Sequence, residues 1–575
     1  HNLNHMLDRH TLRRGLLTAI LGTTVSLCSI AQSTATFSHF RYEGNDDYYN
    51  DNPLTAPGDY FNPVISGWAS DPSICRVGDD YWLVTSTFGY FPGVPMYHSK
   101  DLVSWEHVGN VLDRESQLAS LPGLSIDKGG IYAPALTYNP HNKTFYMITT
   151  CVMKGNGRDG RSENFYVTAK NPLGPWSDPV ILEDVDGIDP SFFFDEDGSG
   201  YIVHKSEEHS LVKWSNHRAL SIIRFDAETG RTVGKPVKFL EQGVGPEERL
   251  ERNEGPHIYK INGKYYLLAA EGGTNWVHSE VCYRADSVFG PYQRWSRNPM
   301  LTQRLLKPNR KLPVTSSGHA DLVQTPAGDW YAVFLGCRPW NDGEDHLGRE
   351  TFLMPVKWSA DGFPYITQCI DTVGLRLNIP GMSGRQASCQ AGNFVWTDDF
   401  SSKSLRPEWL SLWGMPTRYY KTGKGLKLTC APVDTKSGHV PAYLGRRMQH
   451  HKFTAETEVR FKPDDSEAAG MLLVKNEQRQ LFLAVRKGEV SLIQVGKGKG
   501  KNNVMASQPL KTDGSPIGLR TVSDGDTYSF YYRPSGGDWT PLIEKVDAEY
   551  IATQRGGFTG STIGLYATSD KNMSL

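Results

Sequence analysis

Five segments of this chain share one pattern: an apolar strand, a polar turn, and an aromatic-rich second strand. The second strands read "DDYWLVTST" with Tyr81, "KTFYMITTC" with Phe145, "SGYIVHKS" with Tyr201, "GKYYLLAAE" with Tyr265 and "GDWYAVFLG" with Trp330, spaced 64, 56, 64 and 65 residues apart. The turns before them are "VGDD", "NPHNK", "DEDGSG", "INGK" and "PAGD". A unit of about 60 residues and four strands, repeated five times, specifies a β-propeller of five blades. The repeats fill residues 60–361, and no long amphipathic helix interrupts them.

About ten to twelve residues before each aligned aromatic stands the head of the blade's first strand. The five heads are Asp71 in "SDPS", Ala133 in "YAPAL", Asp189 in "IDPSF", Glu254 in "NEGPH" and His319 in "GHADL". The first strands of a propeller line its axis, so these residues are expected to meet at one end of the channel. An isolated Asp-Pro is usually a turn. Three carboxylates around one axis, with no Lys or Arg at the equivalent heads, are costly to bury without a function.

Such a set suits glycoside hydrolysis: one carboxylate deprotonates water, a protonated carboxyl donates to the leaving oxygen, and a third raises the pKa of the acid. The longer reach of Glu assigns Glu254 as the acid. Asp71 and Asp189 then share the base and modulator roles, and the residues alone do not order them. The two reacting carboxyls should lie roughly 6.5–9.5 Å apart, as inversion requires. His319 and Arg349 in "LGRET" are candidate sugar or carboxylate partners. Trp68, Phe88, Tyr132 and Trp276 flank the heads and are candidate walls of a sugar pocket.

Composition narrows the ligand. A net charge of −2 argues against nucleic acid or an anionic membrane. The 27 Tyr and 14 Trp suit a sugar, whose C–H faces stack on aromatic rings, and the 57 Gly and 34 Pro fit a turn-rich β protein. "HTLRRGLLTAILGTTVSLCSIAQS" has the basic, apolar and small-residue regions of a signal peptide over 1–31, with residues 32–59 as an N-terminal extension. Export to the periplasm or beyond is expected, with no membrane insertion after cleavage. Removing Cys28 leaves seven scattered cysteines and neither a disulfide framework nor a zinc motif. "DEDGSG" lacks the twelfth-position Glu of a calcium loop, and "GKGKGK" lacks the phosphate-loop form, so both read as turns or loops.

At these residues the sequence resembles glycoside hydrolase family 43, in its β-xylosidase and α-L-arabinofuranosidase branch. "DPSICRVGDDYWLVTSTFGYFPGVPMYHSKDLVSW", "GGIYAPAL", "GIDPSFFFDEDGSGY", "NEGPHIYKINGKYYLL", "GHADLV" and "GRET" carry the resemblance in order. It implies a five-bladed propeller and an inverting mechanism, with Asp71 as base, Asp189 as pKa modulator and Glu254 as acid. It places His319 and Arg349 near the site. It requires no cofactor and allows a structural calcium on the axis near His319. The chain departs from the family pattern before Asp71, at Tyr132 where Trp is common, and at Gly89 and Tyr90, all read as pocket walls.

Residues 362–392, rich in Gly, Ser and Pro, read as a linker. From 393 to 575, period-two strands such as "FTAETEVRFK", "AAGMLLVK" and "QLFLAVRKGEVSLIQVG" argue a β-sandwich. "PAYLGRRMQHHKFTAETEVRF" and "EAAGMLLV" resemble the concanavalin-like domain that follows many such xylosidases. There it can wall off part of the site; a passive or carbohydrate-binding appendage is the other reading. The expected function is exo-acting release of terminal β-D-xylose or α-L-arabinofuranose from plant cell-wall glycans. The rivals are another terminal sugar, such as a galactan or arabinan end group, and a non-catalytic sugar-binding propeller.

Overall fold

The computed structural model describes residues 32–155, 157–207, 218–241, 253–307, 309–341, 345–496, 502–553 and 556–569. The expected signal peptide and most of "GKGKGK" lie outside them.

Each repeat forms an antiparallel sheet. Blade 1 runs Ser73–Val77, Asp80–Val84, Gly93–Ser99 and Glu106–Leu112; blade 2 runs Gly130–Asn139, Thr144–Gly155, Arg158–Ala169 and Val180–Ile181. Blade 3 runs Ile188–Phe194, Gly200–Lys205, Ala219–Asp226 and Arg231–Glu241; blade 4 starts with Glu254–Ile261, Lys264–Glu271 and Ser279–Ala285. Blade 5 has three strands, Thr315–Gln324, Trp330–Cys337 and Arg349–Pro355. Its outer edge is met by the chain before blade 1, where Ile65 and Thr351 exchange backbone hydrogen bonds and Ala69 N donates to Arg349 O. The first strands of successive blades pack in order, and the fifth packs on the first, which closes the ring.

Polar side chains stitch these inner strands together. Ser73 Oγ donates to Asp321 Oδ2 at 2.7 Å and accepts from Leu136 N at 2.9 Å, joining blade 1 to blades 5 and 2. Ser191 Oγ donates to Pro256 O at 2.6 Å, and Tyr259 donates to Asp321. Buried groups of this kind cost little once paired. "DEDGSG" forms the hairpin turn of blade 3, closed by Asp195 N to Ser199 O.

The second domain is a sandwich of an eight-stranded and a six-stranded sheet, with Phe37, Leu473, Leu483, Leu519 and Phe530 in the core between them. The expected N-terminal extension is part of it: Thr34–Gly44 lies between Leu426–Thr429 and Lys452–Arg460. Ala35, Phe37, Phe40 and Tyr42 are buried on its inner face, which explains why this segment leaves solvent. The segment expected as a linker is also anchored, since Arg376–Asn378 pairs with Asp59–Phe61. No helix of the described residues is long and apolar enough to cross a membrane. All seven described cysteines are free.

Candidate active site

A single backbone device is repeated around the axis. Asp71, Ala133, Asp189, Gly255 and His319 all have left-handed backbone, with φ of 54°, 39°, 57°, 60° and 53°. In blades 2 to 5 the ladder slips at this point, between Tyr132 and Ala135, Ile188 and Ser191, Glu254 and His257, and Gly318 and Asp321. Such a bulge re-aims a side chain at the end of a strand. Asp and His are among the residues that tolerate this conformation best, and four of the five positions precede proline or stand as glycine before it. Each strained non-glycine residue costs about 1–3 kcal/mol, sustained by the surrounding fold.

This register corrects the expected alignment in blade 4. The residue equivalent to Asp71 is Gly255, and Glu254 stands one place earlier, level with Ser70, Tyr132, Ile188 and Gly318. Gly255 is required there. A Cβ on it would lie 2.9 Å from His319 Nε2, so the imidazole rests where a side chain would be. Glu254 therefore leaves its strand one residue earlier than the two aspartates leave theirs.

Asp71 is buried and fully engaged. Its Oδ1 lies 3.1 Å from His319 Nδ1 and 4.0 Å from the Arg349 guanidinium. Its Oδ2 accepts from Ser86 Oγ at 2.7 Å and Ser70 Oγ at 3.0 Å. Burial would raise the pKa of this carboxyl, but the His319 imidazolium, Arg349 and Ser86 outweigh it and hold Asp71 well below the usual carboxylate range. His319 shows the reciprocal effect. Burial opposes its charge, yet Asp71, Asp189 and Glu280 push its pKa up to about 10. Glu280, fully buried beneath this layer, is itself raised to about 8 by burial, with His319 opposing.

Asp189 has the opposite environment. Burial raises its pKa, His319 works against this, and the neighbouring Glu254 and Asp71 raise it further. Its Oδ2 accepts from Gly255 N at 3.0 Å, which ties Asp189 to the backbone beside Glu254. The two aspartates are thus pushed apart, Asp71 towards the ionised form and Asp189 towards the protonated one.

The remaining candidates divide. Arg349 is not spent on a surface pair with Glu350, because Arg338 binds Glu350 through two contacts of 2.6 and 2.8 Å. Arg349 faces Asp71 instead. Trp276 is 49% exposed on a cleft of about 1890 Å³ that reaches Arg349, Ser316 and Phe558. Tyr132 is half-buried in the wall, with its hydroxyl bonded to Lys128 O. Phe88 is almost fully covered, with Tyr132 and Phe558 on its ring. Trp68 is 1% exposed and packs on Tyr90 in the apolar layer between the domains. Tyr90, expected in the sugar-selecting wall, has no exposed surface and bonds Thr562 of the sandwich at 3.2 Å.

The resemblance allowed a calcium on the axis near His319. There the His319 Nδ1 is committed to Asp71 and its ring face to Gly255, and among the described residues no three His, Cys, Asp or Glu side chains gather as a metal-ligand set.

Phe558 escaped the sequence reading. It comes from the sandwich, stacks on Phe88 with centroids 5.8 Å apart, meets Tyr132 edge-on at 5.7 Å, and has the Arg349 guanidinium 5.1 Å over its ring. The signal available was one aromatic isolated among small residues in "GGFTG".

Comparison with known proteins agrees with this geometry. The profile described as "Glycosyl hydrolases family 43" matches residues 60–364, and that described as "Beta xylosidase C-terminal Concanavalin A-like domain" matches 397–575. The chain is 36% identical over 529 residues to a non-reducing end α-L-arabinofuranosidase of Bacteroides ovatus, covering 88% of this chain and 91% of that one. It is 36% identical over 527 residues to a xylosidase/arabinosidase of Butyrivibrio fibrisolvens, covering 89% and 96%. The crystal structure of a GH43_12 protein from the capybara gut metagenome superposes with a TM-score of 0.84 at 36% identity, covering 93% and 99%.

Proposed function

Because the chain belongs to glycoside hydrolase family 43, we propose that it removes terminal β-D-xylose or α-L-arabinofuranose from plant cell-wall glycans, with inversion. The observation that carries this reading is the state of Asp71. A buried carboxylate kept ionised by an imidazolium and a guanidinium is suited to take a proton from water. Burial, with Glu254 and Asp71 beside it, raises the Asp189 pKa, which suits the modulator role, and Glu254 is assigned to protonate the leaving oxygen. Arg349 is placed to bind a hydroxyl of the terminal sugar. The reaction needs no cofactor, since water and the carboxyls supply every proton moved.

The choice of sugar follows the names of the relatives, an arabinofuranosidase and a xylosidase/arabinosidase. The cleft exceeds what one pentose fills, which suits an oligosaccharide or polysaccharide as leaving group. We also place the mature protein in the periplasm or outside the cell, from the leader-like residues 1–31; a mature N-terminus near Gln32 in the exported protein would support this.

The test is nitrophenol release from β-D-xylopyranoside, α-L-arabinofuranoside, α-L-arabinopyranoside and β-D-galactopyranoside. Turnover of either of the first two, lowered by about 10²–10⁴-fold in Asp71→Asn, is expected. Turnover confined to the galactoside would move the substrate to another terminal sugar. Sugar binding without turnover of any glycoside, natural polysaccharides included, would favour a non-catalytic propeller.

A further inference from the structure

The wall residue Phe558 belongs to a different domain from the acids, so something must hold it in place across the interface. A buried ion pair lies directly behind it. Lys475, on the strand Ala468–Asn476, has no exposed surface, and Asp127 of the propeller is 2% exposed. Lys475 Nζ lies 3.4 Å from Asp127 Oδ2 and donates to Thr559 O at 2.7 Å. Asn476 Nδ2 donates to the same carboxylate oxygen at 3.1 Å. The backbone of Asp127 takes part too, since its carbonyl accepts from Phe558 N at 2.8 Å.

The residues between are shaped to this pair. Gly557 has φ of +83°, and a Cβ on it would fall 2.1 Å from Asp127 Oδ2, so the carboxylate sits in the space that a glycine leaves. Gly348, next to Arg349, forms a bridge with Thr559, and Ser561 N donates to His346 O at 2.8 Å. The 556–561 segment is thus fixed on one side by Lys475 and Asp127 and on the other by the strand entrance that carries Arg349. A fully buried charge pair is a poor source of net stability, because desolvation offsets the attraction. Its value here is geometric: it fixes one position for the backbone on both sides of Phe558.

We propose that Lys475 and Asp127 are positioning residues for substrate binding, acting through Phe558. The proposal rests on the reading that the cleft lined by Arg349 and Phe558 holds the terminal sugar. Neither residue touches that sugar; they set where the aromatic wall stands.

The experiment is a double-mutant cycle in the full chain. Removing one charge alone leaves the other buried and unpaired, so the variant is Lys475→Met with Asp127→Asn, made in the wild-type and Phe558→Ala backgrounds. In the wild-type background kcat/KM for the preferred nitrophenyl glycoside should fall about 10- to 100-fold, as misplacement by roughly an ångström does. The loss should fall on KM, because Phe558 carries neither charge nor proton. In the Phe558→Ala background the same pair should cost about twofold or less, since the group they position is gone. Hydrogen exchange gives a readout independent of turnover: amides of 556–561 should lose protection while those of Ala468–Asn476 and Thr562–Thr568 keep it. Equal losses in both backgrounds, or unchanged protection of 556–561, would overturn the proposal. The wild-type rate on the same glycoside separately tests the reading of the site.

Discussion

Blades 1 and 2 enter the axis with the same backbone and different chemistry. Asp71 and Ala133 are both left-handed, both precede proline, and both are buried. They even share a partner, for Ser86 Oγ donates to Asp71 and accepts from Ala133 N at 2.7 Å. One head ends in a carboxylate held by His319 and Arg349; the other ends in a methyl group. The left-handed head is therefore a property of the propeller, and the reaction is a property of which side chain each head presents. Function on this fold is grafted onto a geometry that exists without it.

The largest effect should come from breaking the chemical half of that comparison. Asp71→Asn keeps the shape, the left-handed preference and the hydroxyl partners but removes the proposed base. Hydrolysis should fall by about 10²–10⁴-fold in steady-state rates, with the folded state retained by circular dichroism. Near-normal activity would move the base elsewhere.

Breaking the geometric half should come next. Gly255→Ala changes no reacting group, yet its Cβ would displace the His319 imidazole. A loss of about 100-fold in kcat/KM is expected. An unchanged rate would mean that the contact between His319 and Asp71 does not matter.

His319→Gln sharpens the electrostatic part. Without the imidazolium, Asp71 loses its main counter-charge, and the acid limb of kcat/KM should move up by about 1–3 pH units. Stability should respond as well. The pKa of His319 is raised when folded, from 6.5 to about 10. Its ion-pair contribution is then fully present below about pH 6.5 and is lost as pH rises through about 10. Melting temperatures measured from pH 6 to 10 should fall in the wild type and be flatter in His319→Gln.

The smallest effect is expected at the head without chemistry. Ala133→Gly relieves a left-handed alanine but adds chain entropy to the unfolded state, so stability should shift by no more than about 1 kcal/mol. Denaturant unfolding and steady-state rates would check this. A large loss of activity there would contradict the separation of backbone from chemistry.

Much of this was legible because a repeat multiplies weak signals. Tyr81, Phe145, Tyr201, Tyr265 and Trp330 all lie at the start of second strands, so their spacing located every blade. The heads were legible to within one residue. Glu254 was aligned with Asp71 because both precede the same apolar strand, but the bulge makes Gly255 the equivalent, and no residue pattern announces a positive φ in advance. The strand Thr34–Gly44 alternates Ala35, Phe37, then Phe40 and Tyr42 inward; its partners lie several hundred residues away, which local reading does not reach. Phe558 and the Asp127–Lys475 pair were hidden for the same reason. Each is an unremarkable residue until two domains close around it.

The central claim, that Asp71 and Glu254 act on opposite faces of the terminal sugar in one displacement by water, is tested most directly by the anomer first released. Proton NMR during hydrolysis of the preferred glycoside, read before mutarotation, should show the inverted configuration: α-D-xylose from a β-D-xyloside, or β-L-arabinose from an α-L-arabinofuranoside. Retained configuration in that first signal would require a covalent intermediate on one of the carboxyls and would contradict the account.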